Sequence, residues 1–156
     1  MPSDEGIKIV VNNRKARHDF RIEERFEAGM QLTGSEVKSL RDGKVNLQEA
    51  YCKVEDNEIF LVGCHIAPFA QATHVNHDPV RRRKLLLHRR EITKLKRGTQ
   101  EKGYTLVPLK IYFKAGLAKL EIGLGKGKKT FDKRHDVAER DSKRRLQKLT
   151  RHRSKD

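Results

Sequence analysis

The sequence predicts a mainly β fold with inserted α-helices: a small closed antiparallel barrel carrying two or three short helices, followed by a flexible basic tail. Three observations lead there. Several short stretches alternate apolar and polar side chains with the period of two that a half-buried strand shows. Turn-forming residues separate them at short intervals, which suits antiparallel neighbours. Beyond residue 125 the alternation stops. Across residues 126–156 the larger apolar side chains are Phe131, Val137, Leu146 and Leu149, too few to offset the entropy of ordering that segment.

The elements follow in order. Residues 7–11 are rich in β-branched side chains, and Asn12-Asn13 closes them as a turn would. Phe20 and Ile22, then Phe26, Ala28, Met30 and Leu32, alternate with polar neighbours, giving two strands with a break at Glu24-Arg25. Thr33-Gly34-Ser35 supplies N-cap chemistry, Val37 and Leu40 share a helical face, and Gly43 stops the segment, so a short helix is expected at 35–42. Tyr51, Val54, Ile59 and Leu61 flank Asp56-Asn57-Glu58, a hairpin in which Asn57 can take a positive φ. Pro68 and Pro79 bracket a loop. Leu85, Leu86, Ile92 and Leu95 then fall at near-helical spacing, which predicts one amphipathic helix ended by Gly98. Val107, Leu109, Ile111 and Phe113 alternate, Ala115-Gly116 turns, and Leu120, Ile122 and Leu124 alternate again, a second hairpin ending at Gly125. Closure into a barrel is the simplest way for such strands to lose their edges. The chain therefore divides into a body over 1–125 and a basic tail over 126–156, expected to be disordered alone and helical on a partner.

Composition bounds the rest. At 156 residues and 35% apolar content the chain can build one modest core, and a second is not expected. Uninterrupted apolar runs are short, and no charged segment followed by an apolar one opens the chain, so a cytoplasmic protein is expected. Cys52 and Cys64 then read as reduced core thiols on neighbouring strands. The net charge of +15 is concentrated: residues 81–97 hold nine Lys/Arg against one Glu, and residues 126–156 hold thirteen against five acids. The remainder is close to neutral. Charge serving solubility alone has no reason to cluster, so two such blocks imply a polyanionic partner. Neither block carries the wide apolar face that an interfacial helix needs, which leaves nucleic acid ahead of a membrane. A barrel of the oligonucleotide-binding (OB) type suits both the size and this ligand.

Catalytic chemistry finds little support. His74, His77 and Asp78 could ligate a metal in a metal-dependent ribonuclease, but the spacing is non-specific and no H-E-x-x-H or paired-cysteine motif accompanies it. Gly123, Gly125 and Gly127 precede two lysines but lack the helix-opening context of a phosphate-binding loop, so a flexible strand exit is the better reading. No cofactor, metal or enzymatic activity is expected. Within the basic block, one leucine of Leu85-Leu86-Leu87 must turn away from the buried stripe, and an apolar side chain beside cations suits a stacked base or ribose. Arg83, Lys84 and Arg90 are the block's candidate phosphate contacts.

At these residues the chain resembles the small protein B (SmpB) family, the protein partners of transfer-messenger RNA (tmRNA) in trans-translation. The resemblance is carried by Ala16-Arg17-His18-Asp19-Phe20, Glu27-Ala28-Gly29, Gly34-Ser35-Glu36-Val37-Lys38-Ser39-Leu40-Arg41, Asp78-Pro79, Arg83-Lys84-Leu85-Leu86-Leu87-His88 and Gly127-Lys128-Lys129-Thr130-Phe131-Asp132-Lys133-Arg134. It implies an OB-type barrel that holds the transfer-RNA-like domain of tmRNA, and a tail that enters the small-subunit decoding region of a stalled ribosome. Elongation factor Tu is a further partner by the same implication, and a monomer is expected. Carried over by motif, Glu27, Leu86 and His88 belong to the RNA-binding face. Gly34, Glu36, Lys38, Ser39 and Arg41 lie in the best-matched segment and join them. His88 stands where some members carry Asn; both donate a hydrogen bond, and His adds a protonation-dependent charge. Gly127, Lys128, Lys129, Phe131, Asp132, Lys133 and Arg134 form the implied ribosome-facing tail, with Phe131 where members carry His or Tyr. A stacking role survives that exchange and a hydrogen-bonding one does not. The alternative from the binding class is a constitutive ribosomal RNA-binding protein.

Overall fold

A computed structural model describes residues 6–71 and 76–128 together with Arg140 and Arg144. The order is β1 (Ile7–Asn12), α1 (Arg14–Asp19), β2 (Phe20–Met30), α2 (Gly34–Arg41), β3 (Val45–Asn46), β4 (Tyr51–Glu55), β5 (Glu58–Val62), β6 (His65–Ile66), β7 (Arg83–Leu86), α3 (Arg89–Glu101), β8 (Thr105–Lys114) and β9 (Leu117–Gly127). The fold is mainly β, with a seven-stranded antiparallel sheet in the order β1-β8-β9-β2-β7-β5-β4 and a small β3-β6 pair.

Local chemistry explains most of the boundaries. Asn13 does not merely close β1: its Oδ1 accepts from the Ala16 N–H at 3.1 Å, capping α1, which the sequence reading missed. Its Nδ2 donates to the carbonyls of Pro108 at 3.0 Å and Leu47 at 3.3 Å, so this buried residue ties three segments together. The break expected at Glu24-Arg25 is a bulge between Ile22 and Glu24 within one strand, which bends the long β2 without ending it. α2 begins where Thr33-Gly34-Ser35 placed it, with the Thr33 N–H donating to Glu36 Oε1 at 2.8 Å. The β4-β5 hairpin turns on Asp56 and Asn57 at φ +50° and +60°, and the β8-β9 hairpin on Ala115 and Gly116 at +51° and +79°.

Two expectations are corrected. The single helix predicted after Pro79 is a strand followed by a helix. Residues 83–86 pair with both β2 and β5, and that long-range ladder overrides the helical spacing of their leucines. Gly98 is no stop either: it sits inside α3, where a Cβ would come 2.9 Å from Leu124 Cδ2, so it permits close helix-sheet packing. The second correction concerns closure. The hydrogen-bonded order has two ends, β1 and β4, and no ladder joins them among the described residues. The sheet instead curls until β4 packs against β8. Side chains from α2 and the β3-β6 unit, Leu40, Leu47 and Ile66, enter the same core and supply apolar contact in place of backbone pairing.

One main core fills the curl, and a small satellite of Ala16, Val107 and Leu109 lies under α1. Cys52 and Cys64 are free and buried in the core, Cys52 on β4 and Cys64 just beyond β5. The ladder also extends the body past the expected boundary at residue 125. Lys126 and Gly127 pair with Arg21 and Phe20, and the Lys128 N–H donates to the Asp19 carbonyl at 2.8 Å. Gly123 and Gly125 belong to this strand, not to a flexible exit; a Cβ on Gly125 would come 2.3 Å from the Arg21 carbonyl oxygen.

Candidate nucleic-acid interface

The candidate surface is built where β7 leads into α3. Strand alternation sends Arg83 and Leu85 into the core and Lys84 and Leu86 outward. Leu86 is 51% exposed and pairs opposite Gly29, where an added Cβ would sit 3.3 Å from that of Leu86. The expected outward leucine is therefore present, placed by a strand and not by a helix. Leu86 opens on a groove of about 810 Å³ between β7, α3 and the tip of the β4-β5 hairpin. Leu87 and Ile92 add apolar surface, while Lys84, Arg89, Lys96 and Arg97 add cations. Lys96 Nζ donates to Asn57 Oδ1 at 2.8 Å, which holds the hairpin tip against the helix. At the head of α3, exposed His88 is the N-cap, and its N–H donates to Glu91 Oε1 at 3.1 Å.

The basic block divides by partner. Arg81 and Arg83 bind Glu36, Arg82 binds Glu55, Lys84 meets Glu58 at 3.0 Å, and Lys94 meets Glu24 at 2.5 Å. Arg89, Arg90, Lys96 and Arg97, all on α3, have no carboxylate partner among the described residues. Cations left without a carboxylate there, on one helix beside an exposed apolar side chain, form a surface that can track a phosphate backbone and pack a sugar or base.

Arg83 is a correction. Expected to contact phosphate, it is fully buried: Nε donates to Glu36, Nη1 to the Cys64 carbonyl at 2.7 Å, and Nη2 to the Pro79 carbonyl at 3.1 Å. Glu36 and Ser39 are equally buried, so none of these three side chains is exposed at the surface. Burial alone would raise the Glu36 carboxyl, but donors from Arg81, the Thr33 N–H and Arg83 outweigh it and hold the group at about 2. The remaining α2 residues stay outside the groove. Gly34 faces open space, Lys38 Nζ lies 5.4 Å from the Phe69 ring, and the Arg41 guanidinium lies 5.0 Å from the Phe113 ring.

Glu27 is exposed on the outer face of β2, two residues before Gly29 and so on the side that meets Leu86. The Tyr112 hydroxyl donates to its Oε2, and Lys114 Nζ lies 3.5 Å from the same oxygen. That hydroxyl, helped by Lys114 and Lys119 against a smaller desolvation effect, holds the carboxyl below its ordinary range. His77 is structural: its Nε2 donates to the Ile66 carbonyl at 2.9 Å, and Nδ1 is left to accept from Ser35 Oγ at 2.8 Å. Asp78 Oδ1 accepts from the Val80 N–H at 3.0 Å, and His74 lies outside the described residues. So do Lys129, Phe131, Asp132, Lys133 and Arg134 of the tail.

Sequence reasoning missed Arg89, Lys96, Arg97 and Tyr112. The first three carried a usable signal, since positions i, i+7 and i+8 from a helix start share a face. Tyr112 carried none: its pairing with Glu27 crosses the intervening β9 and needs the sheet order.

Residues 10–152 match the family model SmpB, described as SmpB protein. The chain is 54% identical over 155 residues to the SsrA-binding protein of Geobacillus thermodenitrificans, covering 99% of each. It is 53% identical over 145 residues to that of Desulfitobacterium hafniense, covering 93% of each. A chain from the solved structure "tmRNA-SmpB: a journey to the center of the bacterial ribosome" is 50% identical with a TM-score of 0.64, over 77% of this chain and 85% of that one.

Proposed function

The chain belongs to the SmpB protein family, and from that premise we infer that it is an RNA-binding adaptor, not an enzyme. It binds the transfer-RNA-like domain of tmRNA and brings it to stalled ribosomes for trans-translation. The observation that carries this reading in the fold is the group of four α3 cations that have no acid partner among the described residues, beside the half-exposed Leu86. Such a surface gains counterion release from every phosphate it meets.

The finer points are proposals. Lys84, Leu86, His88 and Arg90, with Glu27 alongside, form the tmRNA face together with Arg89, Lys96 and Arg97. The curled sheet is read as an OB-type barrel variant whose seam is packed and not hydrogen-bonded. Elongation factor Tu is a further partner, the protein acts as a monomer, and its place is the cytoplasm. The C-terminal segment from Gly127 onward serves the decoding region through Gly127, Lys128, Lys129, Phe131, Asp132, Lys133 and Arg134. Asp132 is the informative member, because an acid bound for an anionic surface repels it unless it makes a specific contact.

Sequencing of RNA cross-linked to the purified full chain tests the reading. Cross-links should concentrate in tmRNA, and recovery with every ribosome in equal stoichiometry would instead make this a constitutive ribosomal protein. For the tail, a triple Asp132→Ala, Lys133→Ala, Arg134→Ala variant should bind isolated tmRNA normally and fail to support tagging of stalled peptides. Tagging restored by two lysines placed elsewhere in the tail would reduce it to bulk charge.

A further inference from the structure

We propose that the outer face of the β4-β5 hairpin is a second RNA contact, which stacks one unpaired base of the bound tmRNA on Tyr51 and takes the adjoining phosphate on Lys53. The inference rests on the RNA-binding reading above and extends it to residues outside the α3 groove. Strand alternation puts Cys52, Ile59 and Leu61 in the core and Tyr51, Lys53, Phe60 and Val62 on the opposite face. Tyr51 pairs opposite Val62, and Lys53 opposite Phe60, whose other neighbour is Lys84 of β7. Tyr51 is nonetheless 51% exposed, on a strand that ends the sheet. The Arg82 guanidinium lies over the Phe60 ring, 4.1 Å from its centre, and donates through Nη1 to Glu55.

Three cations therefore gather around one ring. Arg82 and Lys84 have Glu55 and Glu58 beside them, whereas Lys53 has no carboxylate partner among the described residues. Like charges held this close repel, and an arriving anion relieves that repulsion. An anion alone would leave the half-exposed Tyr51 ring, one alternation from Lys53, without a partner for its apolar face. A nucleotide meets both demands, since its phosphate is anionic and its base is a flat ring that stacks on tyrosine whatever the sequence. Arg82 covers Phe60, so Tyr51 is the ring left open. A duplex keeps its base faces in its own stack, which makes the ligand an unpaired nucleotide. Continuity with the groove selects the RNA. Lys84 lines the groove and sits opposite Phe60, and β4 lies two strand spacings, about 10 Å, from β7. A strand whose phosphates meet α3 reaches Tyr51 within a few nucleotides.

The test uses the full chain, transcribed tmRNA and the variants Tyr51→Ala, Tyr51→Phe and Lys53→Ala. Tyr51→Ala should weaken tmRNA binding about five- to tenfold, the scale of one stacked base, with the salt slope unchanged. Tyr51→Phe keeps the flat ring and should restore affinity to within about twofold of native. Lys53→Ala should lower the slope of log affinity against log salt by about one unit, at roughly 0.7 to 0.9 per phosphate. The chain has three Tyr and no Trp, so stacking is also read directly. Bound tmRNA should quench tyrosine emission, and the quenching should shrink in Tyr51→Phe, which binds but has lost that fluorophore. Binding by Tyr51→Ala within about twofold of native overturns the proposal. So does equal quenching in Tyr51→Phe, or an unaltered slope in Lys53→Ala. Intact tmRNA binding by Tyr51→Ala with reduced recovery of ribosomes overturns it too, because the face would then meet the ribosome instead. Alanine at Arg89, Arg90, Lys96 and Arg97 is the control. If it weakens binding while Tyr51→Ala does not, the α3 face stands without this site; if neither weakens binding, the reading of that face falls as well. Affinities are referred to the folded fraction from thermal unfolding, and the quenching of Tyr51→Phe decides the case if Tyr51→Ala does not fold.

Discussion

Residues 81–84 and 89–97 are parts of one basic run in sequence and opposite things in structure. In the first part every cation has a carboxylate partner, and Arg83 is fully buried. In the second part Arg89, Arg90, Lys96 and Arg97 face solvent or the groove without one among the described residues. The difference shows that charge density does not measure binding capacity. A guanidinium already satisfied by Glu36 and two carbonyls has no donors to give a phosphate, whereas a solvated cation releases a counterion when it meets one.

The largest effect on stability should come from breaking the buried pair. Glu36→Ala should cost about 3–5 kcal/mol in chemical unfolding, because it leaves the Arg83 charge buried without its partner. A loss under about 1 kcal/mol would show that Arg83 relaxes to solvent and would blur the contrast. The same pair sets an acid response. Glu36 is depressed in the fold, so its contribution is fully present above the ordinary carboxylate value of 4.5 and is lost as pH falls through about 2. Stability measured between those values should decline in the native protein and decline less in Glu36→Gln.

Next come the adjacent leucines. Leu85→Ala should destabilise by about 2–5 kcal/mol, as core truncations do. Leu86→Ala, at a half-exposed site, should cost less than about 1 kcal/mol and weaken tmRNA binding severalfold. Equal stability losses would mean that β7 does not alternate as described. The smallest stability change, within about 0.5 kcal/mol, belongs to alanine at Arg89, Arg90, Lys96 and Arg97 together. The slope of log affinity against log salt should nevertheless fall by about three units, at roughly 0.7 to 0.9 per phosphate. Arg83→Ala should leave that slope unaltered once its folded fraction is accounted for.

Part of this was legible from residues alone. The hairpins at Asp56-Asn57 and Ala115-Gly116, the cap at Thr33-Gly34-Ser35 and the alternation of β8 and β9 are local, and local backbone preferences fixed them. The charge clustering that pointed to a polyanion is a property of composition, and the family resemblance was carried by contiguous motifs. What only the tertiary structure decided depends on residues far apart in the chain. Pairing with β2 and β5 made residues 83–86 a strand despite their helical spacing, and Glu36, 47 positions away from Arg83, converted a presumed phosphate contact into a structural ion pair. The packing of β4 against β8, with no ladder joining the sheet's two ends among the described residues, is of the same kind, because whether two edges pair or merely pack depends on what distant segments bring into the shared core. Short-range preferences are written into each segment's own side chains. Burial and pairing depend on which distant segment arrives beside it, and that information exists only once the chain has folded.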